Sequence, residues 1–236
     1  NEAEPRAERL FDLEAGYRYQ AAKVAVGANL FFMDYKDQLI LTGKISEIGE
    51  PLTMNVADSY RTGVELTLGL KPLSWLKWDG NLTLSQNKIL NFIEQDVDMY
   101  DANWNWIGSK NDTLGTTDIA YSPNVVANSA FVFNFNRFEI GLYSSFVGKQ
   151  FFDNTSNDDR AIDAYFVNNL SFKYALPVKK MRGIDFQLML NNLLNEKYES
   201  NAYTWYSYYL DGQRVNEKRY FPQPGINFLA SVTLKF

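Results

Sequence analysis

A two-residue period runs through most of the chain, and one of its two faces carries no charge. In "LFDLEAGYRY", Phe11, Leu13, Ala15, Tyr17 and Tyr19 lie on one side of an extended segment, with Asp12, Glu14, Gly16 and Arg18 on the other. A short "QAAK" turn leads to Val24, Val26, Ala28, Leu30 and Phe32. "SYRTGVELTLGL" sets Tyr60, Thr62, Val64, Leu66, Leu68 and Leu70 against Arg61, Gly63, Glu65, Thr67 and Gly69. After "KPLSW" come Leu76, Trp78, Gly80, Leu82 and Leu84. The alternation continues through Phe131, Phe133 and Phe135, returns through Phe138, Ile140 and Leu142, and recurs in Phe166–Tyr174 and Ile184–Leu190. It closes on "GINFLASVTLKF", where Ile226, Phe228, Ala230, Val232, Leu234 and Phe236 share one side. About nine strands can be counted this way, which makes the chain all-β.

The connections alternate in length. Tight turns are expected near Gln20, Lys71, Asn136 and Lys179, and long polar stretches at 42–58, 94–120, 152–162 and 199–222. One end of the strands therefore carries short turns and the other carries large loops.

Composition removes several functions. The 236 residues include no histidine and no cysteine, so Ser-His and Cys-His nucleophiles, thiolate metal sites and disulfides are all missing. No Gly-rich phosphate loop opens a helix, and scattered Asp and Glu define no acid–base pair, so no enzyme and no cofactor are implied. The net charge of -5 argues against a nucleic-acid partner. There is no run of apolar residues long enough for a membrane helix.

Alternation of this kind fits a soluble β-sandwich, for instance a carbohydrate-binding one, or a transmembrane antiparallel β-barrel. Three features favour the barrel. The loops are asymmetric, the strands reach the roughly 10 residues needed to cross an apolar band about 25 Å tall, and the apolar face excludes charges that would cost about 2–4 kcal/mol at the midplane. Tyr17, Tyr19, Tyr60, Trp78, Phe135, Phe138, Phe172 and Tyr174, near strand ends, suit interfacial girdles. Barrels of bacterial outer membranes have even strand numbers, so about nine strands read as part of a larger one.

Several stretches resemble the TonB-dependent outer-membrane receptors. "FQLMLNNLLNEKYES" carries that family's Asn-Leu-Leu-Asn-x-x-Tyr segment at Asn192, Leu193, Leu194, Asn195 and Tyr198, and "FPQPGINFLASVTLKF" is similar to its closing strand. "ADSYRTGVELTLGLKPLSWLKWDGNLTLSQNKI" resembles its Gly-x-Glu strand, Pro turn and following strand. The resemblance implies that residues 1–236 are a C-terminal portion of a barrel of about 22 strands, whose plug and N-terminal strands lie outside the chain. It further implies a Gram-negative outer membrane and energised, TonB-coupled uptake of a scarce nutrient such as a ferric chelate, a passive porin being the alternative. The partners implied are outer-membrane lipid and lipopolysaccharide, the rest of the barrel and its plug, TonB through the missing N-terminal part, the barrel-assembly machinery and a surface lipoprotein. Phe228, Val232, Leu234 and Phe236 would form the assembly signal.

Trp104, Trp106, Tyr203, Trp205 and Tyr206, in two of the long loops, are candidates for stacking on a ligand. The same rings could simply stabilise extended hairpins. Glu94, Asp96, Asp98, Asp101 and Asp112 crowd one loop without an EF-hand spacing, and read as solvated rather than metal-binding. Arg18, Arg61, Glu65 and Asp79, on the charged face, are expected to pair with one another or with a plug.

Overall fold

The computed structural model describes residues 5–45, 50–179 and 181–236. Fourteen strands are present among them: β1 (Arg9–Gln20), β2 (Val24–Ile45), β3 (Pro51–Leu73), β4 (Leu76–Tyr100), β5 (Trp106–Asp118), β6 (Val125–Phe135), β7 (Phe138–Val147), β8 (Gln150–Phe151), β9 (Ala161–Ile162), β10 (Tyr165–Leu176), β11 (Gly183–Asn191), β12 (Glu199–Leu210), β13 (Gln213–Pro222) and β14 (Asn227–Lys235). Nine of them form one continuous antiparallel wall in the order β1-β2-β3-β4-β6-β7-β10-β11-β14. These are the nine segments found from the period. There is no second facing layer in the wall, so the sandwich reading fails.

Register decides whether nine alternating segments become one membrane-compatible surface, because a one-residue slip would send a strand's apolar set to the wrong face. Tyr17 pairs with Ala28, Ala28 with Leu66, Leu66 with Leu82 and Leu82 with Ala127. The row continues from Ala127 to Phe146 and from Phe146 to Phe166. Farther along, Leu170 pairs with Leu190, and Leu190 with Phe228. Each apolar face thus meets the next and builds a single convex surface. Two pairs of polar side chains on that surface are hydrogen-bonded to each other. Trp78 Nε1 donates to Ser129 Oγ at 2.8 Å, and Ser144 Oγ donates to Asn168 Oδ1 at 2.6 Å. Hydrocarbon, which offers no partner of its own, favours this arrangement.

The opposite, concave face holds the charges. Lys77 pairs with Asp79 at 2.7 Å, Lys173 with Glu139 at 2.7 Å and Lys235 with Asp185 at 2.5 Å. The expected mutual pairing of Arg18, Arg61, Glu65 and Asp79 is not seen among the described residues. Arg61 instead reaches its cross-strand partner Asn87 at Oδ1, 3.4 Å away, and Ser122 Oγ in the β5–β6 connection at 3.0 Å.

The short-turn end is tight. Asn136, at φ 55, closes the β6–β7 turn, where only a short polar side chain tolerates the left-handed region well. Rings gather beside this end: Trp75 lies 5.4 Å from Phe135, and Phe138 lies 4.5 Å from Tyr174. At the other end, much of what the sequence suggests is loop is strand. β2 runs on to Ile45 and β3 begins at Pro51, while residues 46–49 lie outside the described residues. Residues 94–100 extend β4, and β5 pairs with that extension from Lys88↔Asp118 to Tyr100↔Trp106. Above an apolar band both faces of a strand meet polar surroundings, so the ladder can continue without an apolar alternation to announce it. The last strand, β14, bonds to β11, and its Phe228, Val232 and Leu234, with Phe236 beyond it, are exposed on the convex side.

Replacing Leu66, in the middle of the convex face, by Arg should destabilise the full-length protein by about 2–4 kcal/mol. Leu66→Ile, which keeps the same position apolar, should cost less than about 1.5 kcal/mol. Urea unfolding in lipid vesicles, followed by the gel shift of folded against unfolded barrel, measures both.

Candidate functional site

The clusters of buried hydrophobic side chains lie at the long-loop end of the wall. Ile40, Val56, Ile89, Phe92 and Ile119 form one cluster with Met54 against it. Phe152, Ile162 and Ala202 form another beside Tyr121. The sequence pattern explains the inversion. Even-numbered residues of β2 are exposed from Val26 to Phe32, but beyond the left-handed Asp37 (φ 54) Gln38 and Ile40 are buried, as is their neighbour Val56.

Over this base lies the hairpin β12–β13. It follows β11 in the chain, yet β12 pairs in parallel with β4 at Tyr208↔Asp98, Tyr209↔Met99 and Leu210↔Tyr100. It also touches β2. In the wall, β4 and β11 are separated by β6, β7 and β10, so the hairpin crosses the open end of the trough.

One arginine ties the crossing down. Arg160, only 3% exposed, is carried by a single 3-10 turn, Asp158–Arg160, capped by Asn157. Its Nη1 donates to Asp153 Oδ2 at 2.8 Å and to Glu94 Oε1 at 3.0 Å. Its Nε and Nη2 donate to Asn216 Oδ1 at 3.0 and 2.7 Å, and Nη2 also to Ser207 Oγ. Arg214 of β13 shares Glu94 Oε1 at 2.6 Å and reaches Asp112 Oδ2 at 2.8 Å. Burial works against the Arg160 charge, but Asp153 and Glu94 outweigh it and raise its pKa. Losing one partner of a buried pair typically costs about 3–5 kcal/mol, because the other charge is left bare.

Beneath the hairpin is a cleft of ≈ 400 Å³ whose walls include Phe92, Glu94, Asp96, Asp98, Trp205 and Tyr206. Beside it stands a group of rings. Tyr100 meets Tyr208 edge-on at 5.7 Å, Trp104 lies 5.7 Å from Tyr208, and Tyr206 lies 5.2 Å from Tyr208. Asp98 organises it by accepting from Trp106 Nε1 at 3.0 Å and from the Tyr206 hydroxyl. Burial first, then the hydrogen bonds to Asp98 and Tyr100, push the Tyr206 phenol up, so it stays a neutral donor. Trp104 sits at φ 64, unusual for a bulky residue and a cost of about 1–3 kcal/mol. Asp101 stabilises that turn, accepting from the backbone N–H of Asn103 at 2.8 Å and of Asn105 at 2.9 Å. The Trp104, Trp106 and Trp205 indoles remain 59%, 62% and 57% exposed.

Four of the five aromatic residues anticipated from sequence therefore converge. Trp106 and Tyr206 meet at Asp98, Trp104 joins them through Tyr208, and Trp205 lines the cleft. Tyr203 stands at the edge of the group, edge-on to Trp205 at 6.4 Å and packed on Phe221 at 5.8 Å. Glu94, Asp98 and Asp112 accept hydrogen bonds from Arg160, Trp106 and Arg214, respectively. Arg214 and Asn216 carry no sequence signal, and "DNTSNDDR", which reads from sequence as another solvated loop, instead buries Asp153 and Arg160.

Residues 6–193 match the family described as TonB dependent receptor-like, beta-barrel. The chain belongs to that family. Its wall is thus part of an outer-membrane barrel, with the short turns periplasmic and the hairpin, cleft and rings extracellular. Similar solved structures include the ferric-catecholate import receptor Fiu from E. coli K12, at 16% identity over 97% of this chain with a TM-score of 0.63. The ferric yersiniabactin uptake receptor FyuA from Yersinia pestis has 18% identity over 97%, with a TM-score of 0.60. The copper transporter OprC has 17% identity over 99%, with a TM-score of 0.67. The chain spans 28%, 30% and 33% of those proteins, respectively. No curated protein matches the sequence.

Acid should loosen the hairpin. Burial alone would push the Asp112 carboxyl up, but Tyr209, Lys110 and Arg214 outweigh it and hold it below the usual range. Lys218, with Asn216, lowers Asp159. A carboxylate depressed on folding stabilises above its unfolded pKa, about 3.9 for Asp, and loses that contribution as pH falls through the lower folded value. Near-UV circular dichroism of the loop aromatics should stay constant from neutral pH to about 4 and change below it.

Proposed function

We propose that this chain is the C-terminal part of a receptor that takes up a scarce nutrient, such as a ferric chelate, with energy delivered through TonB. The observation that carries the reading is the extracellular cleft with its rings. Rigid, exposed indoles held beside a pocket with aligned carboxylates suit capture of a large solute with flat and polar surfaces. Ligand would first meet Trp104 and Trp106, then Trp205 and Tyr206 at the cleft, with Tyr203 packed edge-on to Trp205. The concave face below, lined by Arg18, Asp79 and Asn128 around a hollow of ≈ 490 Å³, would seat the plug. The plug and the TonB-contacting segment would belong to other parts of the full-length protein. Phe228, Val232, Leu234 and Phe236 would present the strand read by the barrel-assembly machinery, and lipopolysaccharide would surround the convex face. A surface lipoprotein would dock, if anywhere, on the loops around the hairpin. Structures of similar fold include proteins described as importing ferric catecholates and ferric yersiniabactin, which supports this choice of solute.

Uptake by cells expressing the full-length protein as their sole receptor tests the reading. Radioiron accumulation from a panel of ferric chelates should occur for at least one chelate and stop when TonB is deleted or the proton gradient is collapsed. Accumulation that persists without energy would establish a passive porin instead. Trp104→Ala should weaken binding of that chelate by about 1 kcal/mol, or about fivefold in Kd, without lowering the amount of barrel in the membrane.

A further inference from the structure

The short turns at the periplasmic end are laced into one continuous rim. Lys71 N donates to the Lys23 carbonyl at 2.8 Å, which joins the β1–β2 and β3–β4 turns. Asn134 N donates to the Trp75 carbonyl at 2.7 Å, and Ala175 N to the Arg137 carbonyl at 3.0 Å, so the rim runs on through the β6–β7 turn to β10. Arg182 N donates to the Lys235 carbonyl at 2.8 Å and ties the β10–β11 turn to the end of β14. The charge along this rim has a single sign. "QAAK", "KPLSW", "NR" and "PVKKMR" each contain Lys or Arg and no Asp or Glu, whereas at the other end residues 94–120 hold six acids and one cation, Lys110. Lys23, Lys71, Arg137, Lys179 and Arg182 are exposed, and none of them has a carboxylate partner among the described residues. The nearby cations of the concave face, Lys77, Lys173 and Lys235, each have one.

We infer that this rim is a binding surface for the anionic phospholipid headgroups of the periplasmic leaflet. Like charges on paired neighbours repel, and the backbones of Lys23 and Lys71 are bonded to each other with no acid between them. A phosphate seated there replaces the repulsion with charge-assisted hydrogen bonds, and the planar guanidinium groups of Arg137 and Arg182 suit the same acceptor. Successive turns lie two strands apart, about 10 Å, which leaves room for a separate phosphate at each. Depth decides in favour of lipid over a polyanion in the periplasm. Trp75, Phe135 and Phe138 are exposed in or beside the same turns, and rings of this kind settle at the boundary between hydrocarbon and water. The cations beside them therefore stand in the headgroup layer, with their aliphatic stems free to lie along the rings. Each Lys or Arg at an anionic membrane surface contributes about fivefold in affinity. Nothing in this depends on the solute that the receptor carries.

Cardiolipin, which carries two phosphates, is the probe, and zwitterionic phosphatidylethanolamine is the control lipid. Native mass spectrometry of the full-length protein, stripped of lipid in a mild non-ionic detergent, measures binding of each when it is added back. Cardiolipin should bind at least about tenfold more tightly than phosphatidylethanolamine. Lys23→Gln, Lys71→Gln, Arg137→Gln, Lys179→Gln and Arg182→Gln combined should remove that preference and leave phosphatidylethanolamine unaffected. Lys197→Gln with Arg219→Gln, exposed cations of the extracellular end, should leave cardiolipin binding unchanged. Equal affinity for the two lipids would overturn the inference, and so would a loss as large in the extracellular pair as in the turns. Co-sedimentation with purified peptidoglycan that the turn substitutions abolish, while cardiolipin affinity stays the same, would assign the rim to the cell wall instead. If the five-residue variant fails to reach the membrane, Lys71→Gln with Arg137→Gln carries the test, with a loss of at least about fivefold expected.

Discussion

Everything in this molecule depends on saturating backbone hydrogen bonds where no water can do so. In hydrocarbon an unpaired N–H or C=O costs several kcal/mol, so strands must pair along their whole length and in one register. That requirement aligns nine apolar faces into a single surface, from Tyr17 against Ala28 at one side to Leu190 against Phe228 at the other. Side chains then have little left to do in the wall. They satisfy one another locally, as Trp78 does with Ser129, or they leave the concave face charged and open.

The extracellular end obeys a different rule. Water can satisfy the backbone there, so specificity of shape comes from buried side chains and from charge. Ile89, Phe92 and their neighbours provide the apolar base, and Arg160 provides the crossing point at which β4, β12, β13 and the β7–β10 connection meet. The molecule therefore joins a wall stabilised by ladders to a mouth stabilised by packing and ion pairs.

This division also explains what could be read from the sequence. The wall was legible because period two maps directly onto the two faces of a strand, and the turn at Asn136 is marked by an abrupt polar break between Phe135 and Phe138. The strand extensions were not legible, since residues such as Glu94 and Asp112 look like loop when neither face needs to be apolar. The rings were found individually because exposed Trp and Tyr are conspicuous in polar stretches. Their convergence was hidden, as Tyr100 and Tyr208 lie far apart in sequence, and parallel pairing of a late hairpin with β4 leaves no periodic trace. Arg160 was invisible for the same reason, because its partners come from four separate segments.

The length of β4 has a consequence for where this mouth meets its surroundings. A strand of 25 residues rising about 3.3 Å each and tilted by about 40° stands roughly 60 Å tall, more than twice the apolar band. Trp104 and Trp106, just beyond its tip, are thus lifted clear of the headgroup layer and into the zone occupied by the sugars of surface glycolipids. Height of this kind trades shelter for reach. The rings stand outside a crowded carbohydrate coat, where whatever approaches the cell meets them first, and they give up the cover that the coat provides.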